Sequence, residues 1–287
     1  MAARGERKHR GRDVIPRDFI TEWRAHAPWV ADVQVEQDLV ICRALVELFS
    51  RPLVARSLAF RGGTALYKLH LRPAARYSED IDLVQIDAGP IGAVLAEARA
   101  ALDAWLGAPR WKQSEGRVTL TYRFESEDVP PLPMKLKVEI NSREHFTVLG
   151  HRHIRFEVAS RWFAGGANVC TFELDELLGT KLRALYQRKK GRDLFDLALA
   201  LGQPSVDPER VVACFSRYME AQGERVSRAL FERNLALKQR DAAFTGDITP
   251  LLAAGHRWDL EAALWSVLRG VVAHLPGDGW RGSDTRR

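Results

Sequence analysis

Phe60-Arg61-Gly62-Gly63-Thr64, followed downstream by Asp80-Ile81-Asp82-Leu83, is the stretch on which the reading of this chain turns. Leu58-Ala59-Phe60 is a short apolar run entering Gly62-Gly63, and Thr64 to Leu71 has a helical pattern with Thr64 placed to cap it. Gly63 lacks the Cβ that would block close backbone approach, and a helix start offers unpaired N–H groups. Both features suit the phosphates of a nucleotide, although a simple turn uses the same residues.

Asp80 and Asp82 open an apolar strand, Ile81 to Ile86, and residues two apart on a strand face the same way. Two carboxylates held side by side repel unless a cation lies between them. Mg²⁺ takes oxygen ligands of this kind, commonly one or two carboxylates together with substrate phosphates. The alternative, a solvent-exposed strand end with incidental acids, fits the apolar flanks Ile81, Leu83 and Val84 less well. A third acid, Glu139, stands in the alternating run Met134 to Ile140 between Val138 and Ile140. It completes a carboxylate triad if its strand lies beside the Ile81 strand; otherwise it pairs with a strand lysine or arginine.

Outward from these motifs, Pro16 to Trp23 and Val35 to Phe49 read as helices, with Pro52 ending that region. Ile91 to Leu106 is a further helix. Arg117 to Glu125 alternates, with Val118, Leu120, Tyr122 and Phe124 on one face, and His153 to Val158 is a further strand. After about Val169 the pattern becomes helical: Leu174 to Arg188, Leu194 to Leu201, Pro208 to Ala221, Val226 to Lys238 and Leu260 to His274. The fold class is therefore α+β, a sheet-bearing first part followed by an all-helical second part. Met1 to Arg12 reads as a flexible basic arm and Pro276 to Arg287 as a frayed tail.

The 287 residues are 46% hydrophobic and 28% charged, which excludes a largely disordered or collagen-like chain. No run has the apolar length of a membrane span, no apolar segment follows the basic start, and three separated cysteines form no CxxC pair. The cytoplasm is the expected compartment, with no membrane partner. The formal charge is +6, and six basic residues fall between Lys181 and Arg192. They form either a solvated helix face or a phosphate-engaging patch. His70, His145, His151 and His153 show no ligand spacing, and of the tryptophans only Trp111 and Trp162 are candidates for stacking on a base.

The glycine turn, Asp-x-Asp and later strand acid, in that order, resemble the nucleotidyltransferase fold of the polymerase β superfamily. Phe60 to Lys68 and Arg76-Tyr77-Ser78-Glu79-Asp80-Ile81-Asp82-Leu83 look like the AbiEii/AbiGii family of nucleotidyltransferase toxins, MenT-type members included. Lys181-Leu182-Arg183-Ala184-Leu185 and Arg192-Asp193-Leu194-Phe195-Asp196 resemble that family's lysine-bearing helix and Arg-Asp-x-x-Asp segment. The likeness runs from about Phe60 to Leu197.

This resemblance implies a nucleotidyltransferase domain at 1–165, with a mixed sheet and flanking helices, and a helical domain at 166–287 carrying the Lys181 and Asp193 motifs. It implies Asp80 and Asp82 as catalytic metal ligands for Mg²⁺, with Glu139 as the third acid. Gly62, Gly63, Thr64, Lys68 and Ser78 would surround the triphosphate. Lys181 would neutralise the leaving pyrophosphate, and Asp193 would position Lys181 or accept a proton. Arg76 either holds phosphate or fixes the strand entrance, and Asp196 is expected to pair structurally with Arg192 or Arg188. The implied activity is that of a toxin in a toxin-antitoxin system, moving nucleotides from NTP to the 3′ end of tRNA and so blocking aminoacylation and translation. A cognate antitoxin is the implied partner. The rivals are a nucleotidyltransferase acting on a small molecule or protein, and an antitoxin-bound nucleotide-binding module.

Overall fold

The structure is a computed structural model that describes residues 15–282, so the basic arm lies outside the described residues. In chain order the helices are α1 (Arg17–Trp23), α2 (Asp32–Phe49), α3 (Pro52–Ser57), α4 (Gly62–Ala65), α5 (Gly92–Leu106), α6 (Leu174–Gln187), α7 (Gly191–Ala200), α8 (Pro208–Glu220), α9 (Arg228–Lys238), α10 (Ala242–Gly246) and α11 (Leu260–Gly270). The strands are β1 (Leu58–Arg61), β2 (Asp80–Gln85), β3 (Arg110–Ser114), β4 (Arg117–Glu125), β5 (Pro133–Asn141), β6 (His151–Ala159) and β7 (Ala164–Phe172). The chain divides into two units. One comprises Met1–Phe60, Glu79–His145 and His153–Cys170; the other comprises Arg61–Ser78, Phe146–Arg152 and Thr171–Arg287.

In the first unit, the long apolar repeat makes α2 a helix buried on most of its surface, with Val35, Leu39, Ile41, Leu45 and Leu48 closed off from solvent. Burial also reaches three polar side chains, and each finds a partner, because an unpaired buried polar group is costly. Asp38 accepts from the indole N–H of Trp23 at 2.9 Å and of Trp29 at 3.2 Å. Gln37 donates to the Lys135 carbonyl, and Glu36 accepts from the Glu127 N–H. Pro52 does not end the helical region as expected. It opens α3, where a first-turn proline lacks only an N–H that would have been unbonded anyway.

The strands form one mixed sheet in the order β3-β4-β5-β2-β1-β7-β6. β2 and β5 run parallel, with Ile81 beside Val138 and Asp82 beside Glu139. β4 is antiparallel to β3 and to β5. Alternation places Ile81, Leu83, Val118, Leu120, Tyr122, Leu136, Val138 and Ile140 on one buried face, against which α2 and α5 pack. The residues between them, Asp80 and Asp82 included, fall on the other face and are exposed or half-buried. Two strands are absent from the sequence reading. β3 is exposed throughout and carries no apolar alternation, while the glycine pair Gly165-Gly166 breaks the pattern of β7. Pairing with neighbours, not side-chain periodicity, makes them strands.

After Phe172 every element is helical. In the second unit α6 packs on α7 and α8, and α11 packs on α7. Side chains cap the helix starts: Asp207 for α8, Ser227 for α9, Asp241 for α10 and Asp259 for α11. The short α10 leaves no apolar repeat in the sequence. Glu176 of α6, fully buried, accepts from the Thr147 hydroxyl at 2.7 Å, from the N–H groups of Val148 and Leu149 at 2.9 and 2.8 Å, and from the Tyr218 hydroxyl at 2.8 Å. The tail is docked as far as it is described, not frayed. The Arg228 N–H reaches the Pro276 carbonyl, and the Trp280 N–H donates to Glu232 at 2.6 Å.

Candidate active site

In the first unit, Asp80 and Asp82 stand on the open face of β2, and register sets Lys137 beside Asp80 and Glu139 beside Asp82. Glu139 has both kinds of neighbour. It is the strand neighbour of the paired aspartates, and it also binds cations. Lys137 Nζ lies 2.6 Å from Glu139 and 3.2 Å from Asp80, and Arg117 approaches Glu139 at 3.5 Å. Burial alone would lower the pKa of Lys137; its bonds to Glu139 and the charge of Asp80 outweigh that and raise it. An ammonium thus sits between two of the carboxylates, where a positive charge is needed. Among the described residues no three His, Cys, Asp or Glu side chains form a group that could hold a metal unaided. The donor set suits an ion that takes one or two carboxylates and completes its shell with phosphate and water, as Mg²⁺ does.

In the second unit, Gly62, Gly63, Thr64 and Ser78 come together. Gly62 has φ +82°, in the left-handed region that favours glycine. A Cβ on Gly63 would lie 2.6 Å from Arg76 Nη2 and 3.1 Å from Ser78 Oγ. The close approach that demands glycine here is therefore made by the protein's own guanidinium. Thr64 is not a helix cap. It is buried within α4, and its hydroxyl donates to Ser78 Oγ at 2.9 Å. Beyond Ala65 the helix widens into a π turn, Leu66–His70, which carries Tyr67 and Lys68. The Lys68 carbonyl accepts from Arg72.

Beneath this turn lies a buried ionic cluster. Arg76 grips Asp196 through Nε and Nη2, both at 2.6 Å, and donates Nη1 to the Tyr77 carbonyl. Tyr67 donates its hydroxyl to Asp196 at 2.8 Å. Lys181 lies 2.9 Å from Asp196 and 3.1 Å from Asp193, and Arg188 closes on Asp193 at 2.7 and 2.8 Å. Burial pushes both carboxyls up, but the charges of Arg76 and Lys181 hold Asp196 below the usual range, and those of Lys181 and Arg188 do the same for Asp193. Burial would also lower the pKa of Arg76, yet Asp196 raises it. Asp196 therefore pairs with Arg76 and Lys181, not with Arg192 or Arg188 as expected. Arg76 is an internal structural cation, a role that sequence spacing left open. Fully buried and kept ionised by two cations, Asp193 is suited to holding Lys181 in place and poorly suited to taking up a proton.

The basic run beginning at Lys181 is largely neutralised within the second unit. Lys189 pairs with Asp241, Lys190 and Arg192 pair with Asp247, and Arg183 stacks over Tyr218. Trp162 packs edge-on against Trp105 under the Arg43 guanidinium, whereas Trp111 is 57% exposed.

The chain has a nucleotidyltransferase fold. It is similar to MenT4, a nucleotidyltransferase toxin from Mycobacterium tuberculosis H37Rv, with a TM-score of 0.64 and 19% identity over 91% of each chain. It is also similar to JHP933 from Helicobacter pylori, with a TM-score of 0.52 and 15% identity over 85% of this chain and 92% of that one. At these identities the likeness is one of fold. The protein belongs to the family described as nucleotidyl transferase AbiEii toxin, type IV TA system, which matches residues 43–265. It is therefore a nucleotidyltransferase of the AbiEii toxin type. No curated protein sequence matches it.

Proposed function

We propose that this chain is a Mg²⁺-dependent toxin that transfers a nucleoside monophosphate from an NTP to the 3′ end of tRNA in the cytoplasm, blocking aminoacylation and translation until a cognate antitoxin intervenes. The observation that carries the reading is the placement of Asp80 and Asp82 on one open face of β2, with Glu139 in register on the parallel β5.

In the reaction, the acceptor hydroxyl oxygen bonds to the α-phosphorus, the bond to the bridging oxygen breaks, pyrophosphate leaves and the hydroxyl proton passes to solvent. A divalent ion, when bound, stabilises charge on the attacking and leaving oxygens. Asp80 and Asp82 would hold it, with Glu139 as the neighbouring acid. The Gly62-Gly63 turn, Thr64, Lys68 and Ser78 orient the triphosphate. Lys181, fixed by Asp193 and Asp196, offsets negative charge as pyrophosphate departs. Support for an anionic acceptor comes from the cations of the open sheet face, which a cationic small molecule would find repulsive.

The test incubates purified protein with Mg²⁺, total tRNA and each labelled NTP in turn. Wild type labels the tRNA with at least one NTP, and Asp80→Asn labels it less by two orders of magnitude or more. Equal labelling by the two proteins would remove Asp80 from the reaction. Labelling of a small molecule or protein in place of tRNA would give the rival acceptor.

A further inference from the structure

The most conspicuous basic stretch in the sequence is occupied by the protein's own acids, so the acceptor must be met elsewhere. The open face of the sheet in the first unit has what that task needs. Cross-strand register lines up Arg110, Thr121, Lys137 and Asp80 in one row, and Lys112, Thr119, Glu139 and Asp82 in the next. Both rows begin with a cation on the edge strand β3 and end at the paired aspartates of β2. At roughly 4.8 Å per strand, each row is about 14 Å long. Arg123 of β4 and Lys135 of β5, themselves cross-strand partners, extend the same face.

Arg110, Lys112, Arg123 and Lys135 are all exposed, and no acid pairs with any of them among the described residues. The acids of this face gather instead at Asp80, Asp82 and Glu139, apart from Glu125 at the far end of β4. Charge is thus graded along the face, unpaired cations over β3 to β5 giving way to carboxylates at β2. Unpaired surface cations in a row suit repeated phosphates, each contact releasing a bound counterion from the nucleic acid. Neighbouring Thr119 and Thr121 add hydroxyls that can bond phosphate or ribose oxygens.

We propose that this face is the track for the single-stranded 3′ end of the acceptor RNA. The terminal ribose hydroxyl lies at Asp80 and Asp82, and the upstream phosphates run across β4 toward Arg110 and Lys112. The inference rests on the functional reading above for the identity of the acceptor, and it adds where the acceptor binds and by which residues.

The test measures binding without nucleotide transfer. Fluorescence anisotropy follows a labelled single-stranded RNA and deacylated tRNA, each titrated with full-length protein over a range of salt concentrations. A variant with Arg110→Gln, Lys112→Gln, Arg123→Gln and Lys135→Gln is compared with wild type. A second variant, Lys189→Gln with Lys190→Gln, changes cations that are already paired. Circular dichroism confirms that all three proteins are folded.

The sheet variant is expected to bind both RNAs about tenfold or more weakly, with a salt slope lower by up to about 3, while the paired-cation variant binds as wild type does. A tRNA trimmed of its single-stranded 3′ end should bind wild type and the sheet variant alike. Equal affinity of wild type and the sheet variant for intact tRNA overturns the proposal, as does a loss confined to the Lys189 and Lys190 variant. So does an undiminished RNA affinity accompanied by loss of an acidic protein partner. Transfer to tRNA, assayed on the same samples, reads the functional assignment separately. A protein that labels tRNA while its sheet variant binds normally keeps the function and loses the track.

Discussion

Arg76 and Asp196 are joined by two parallel hydrogen bonds of 2.6 Å, with the arginine side chain 2% exposed and the carboxylate fully enclosed. The guanidinium also lies against Gly63, and the carboxylate also holds Tyr67 and Lys181. One ion pair thus ties the glycine turn to the lysine-bearing helix within the second unit.

Breaking that pair leaves a buried charge without its partner. Arg76→Met or Asp196→Leu alone should each cost about 3–5 kcal/mol, while the double replacement should cost much less than their sum. Urea denaturation of the three variants checks this. Additive losses would show that the two residues act independently.

Gly63→Ala should cost about 1–3 kcal/mol, because the guanidinium that a new methyl meets cannot swing away without releasing Asp196. The same substitution in an Arg76→Ala background should cost about 1 kcal/mol less, since the obstruction is gone. If the cost is identical in both backgrounds, Arg76 is not what requires glycine at this position.

Glu176 is the anchor for residues 147–149. Glu176→Gln removes the charge that serves four donors, and a charged acceptor is worth roughly 1.5–3 kcal/mol. Hydrogen exchange should show the Val148 and Leu149 amides losing protection before α6 does. Unchanged protection at those two amides would contradict the assignment.

Acid should destabilise the protein through His70. Its Nε2 is buried without a hydrogen-bond partner among the described residues. Burial first, and the Arg152 charge second, lower its pKa from 6.5 to about 4 against the opposing pull of Glu173. The unfolded chain therefore takes up the proton before the folded one does. Stability is complete above pH 6.5 and falls as pH drops through the window toward 4, by up to about 3 kcal/mol. His70→Phe keeps a ring and removes the titration, so its urea midpoint should vary less between pH 7 and 4 than that of wild type. Parallel pH profiles for the two proteins would acquit His70.

Much of this is legible in the amino-acid sequence. Alternation in Arg117–Glu125 and Pro133–Asn141, and the apolar repeat of α2, act through neighbours a few residues apart, so sequence spacing reports them directly. β3 was not legible, because an edge strand with every side chain exposed leaves no hydrophobic trace. The buried role of Arg76 was equally hidden. An arginine reads as surface until a carboxylate far along the chain is seen to neutralise it.

The amino-acid sequence by itself determined the α+β order, the facing of Asp80 with Asp82 and the motifs that mark a nucleotidyltransferase, because strand and helix periods are local properties of the chain. Only the tertiary structure decided which charges are spent and which remain available. Pairing of Lys189, Lys190 and Arg192 with Asp241 and Asp247, and the absence among the described residues of an acid opposite Arg110 and Lys112, depend on contacts between residues distant in sequence, and Coulomb energy follows distance in space, not position along the chain.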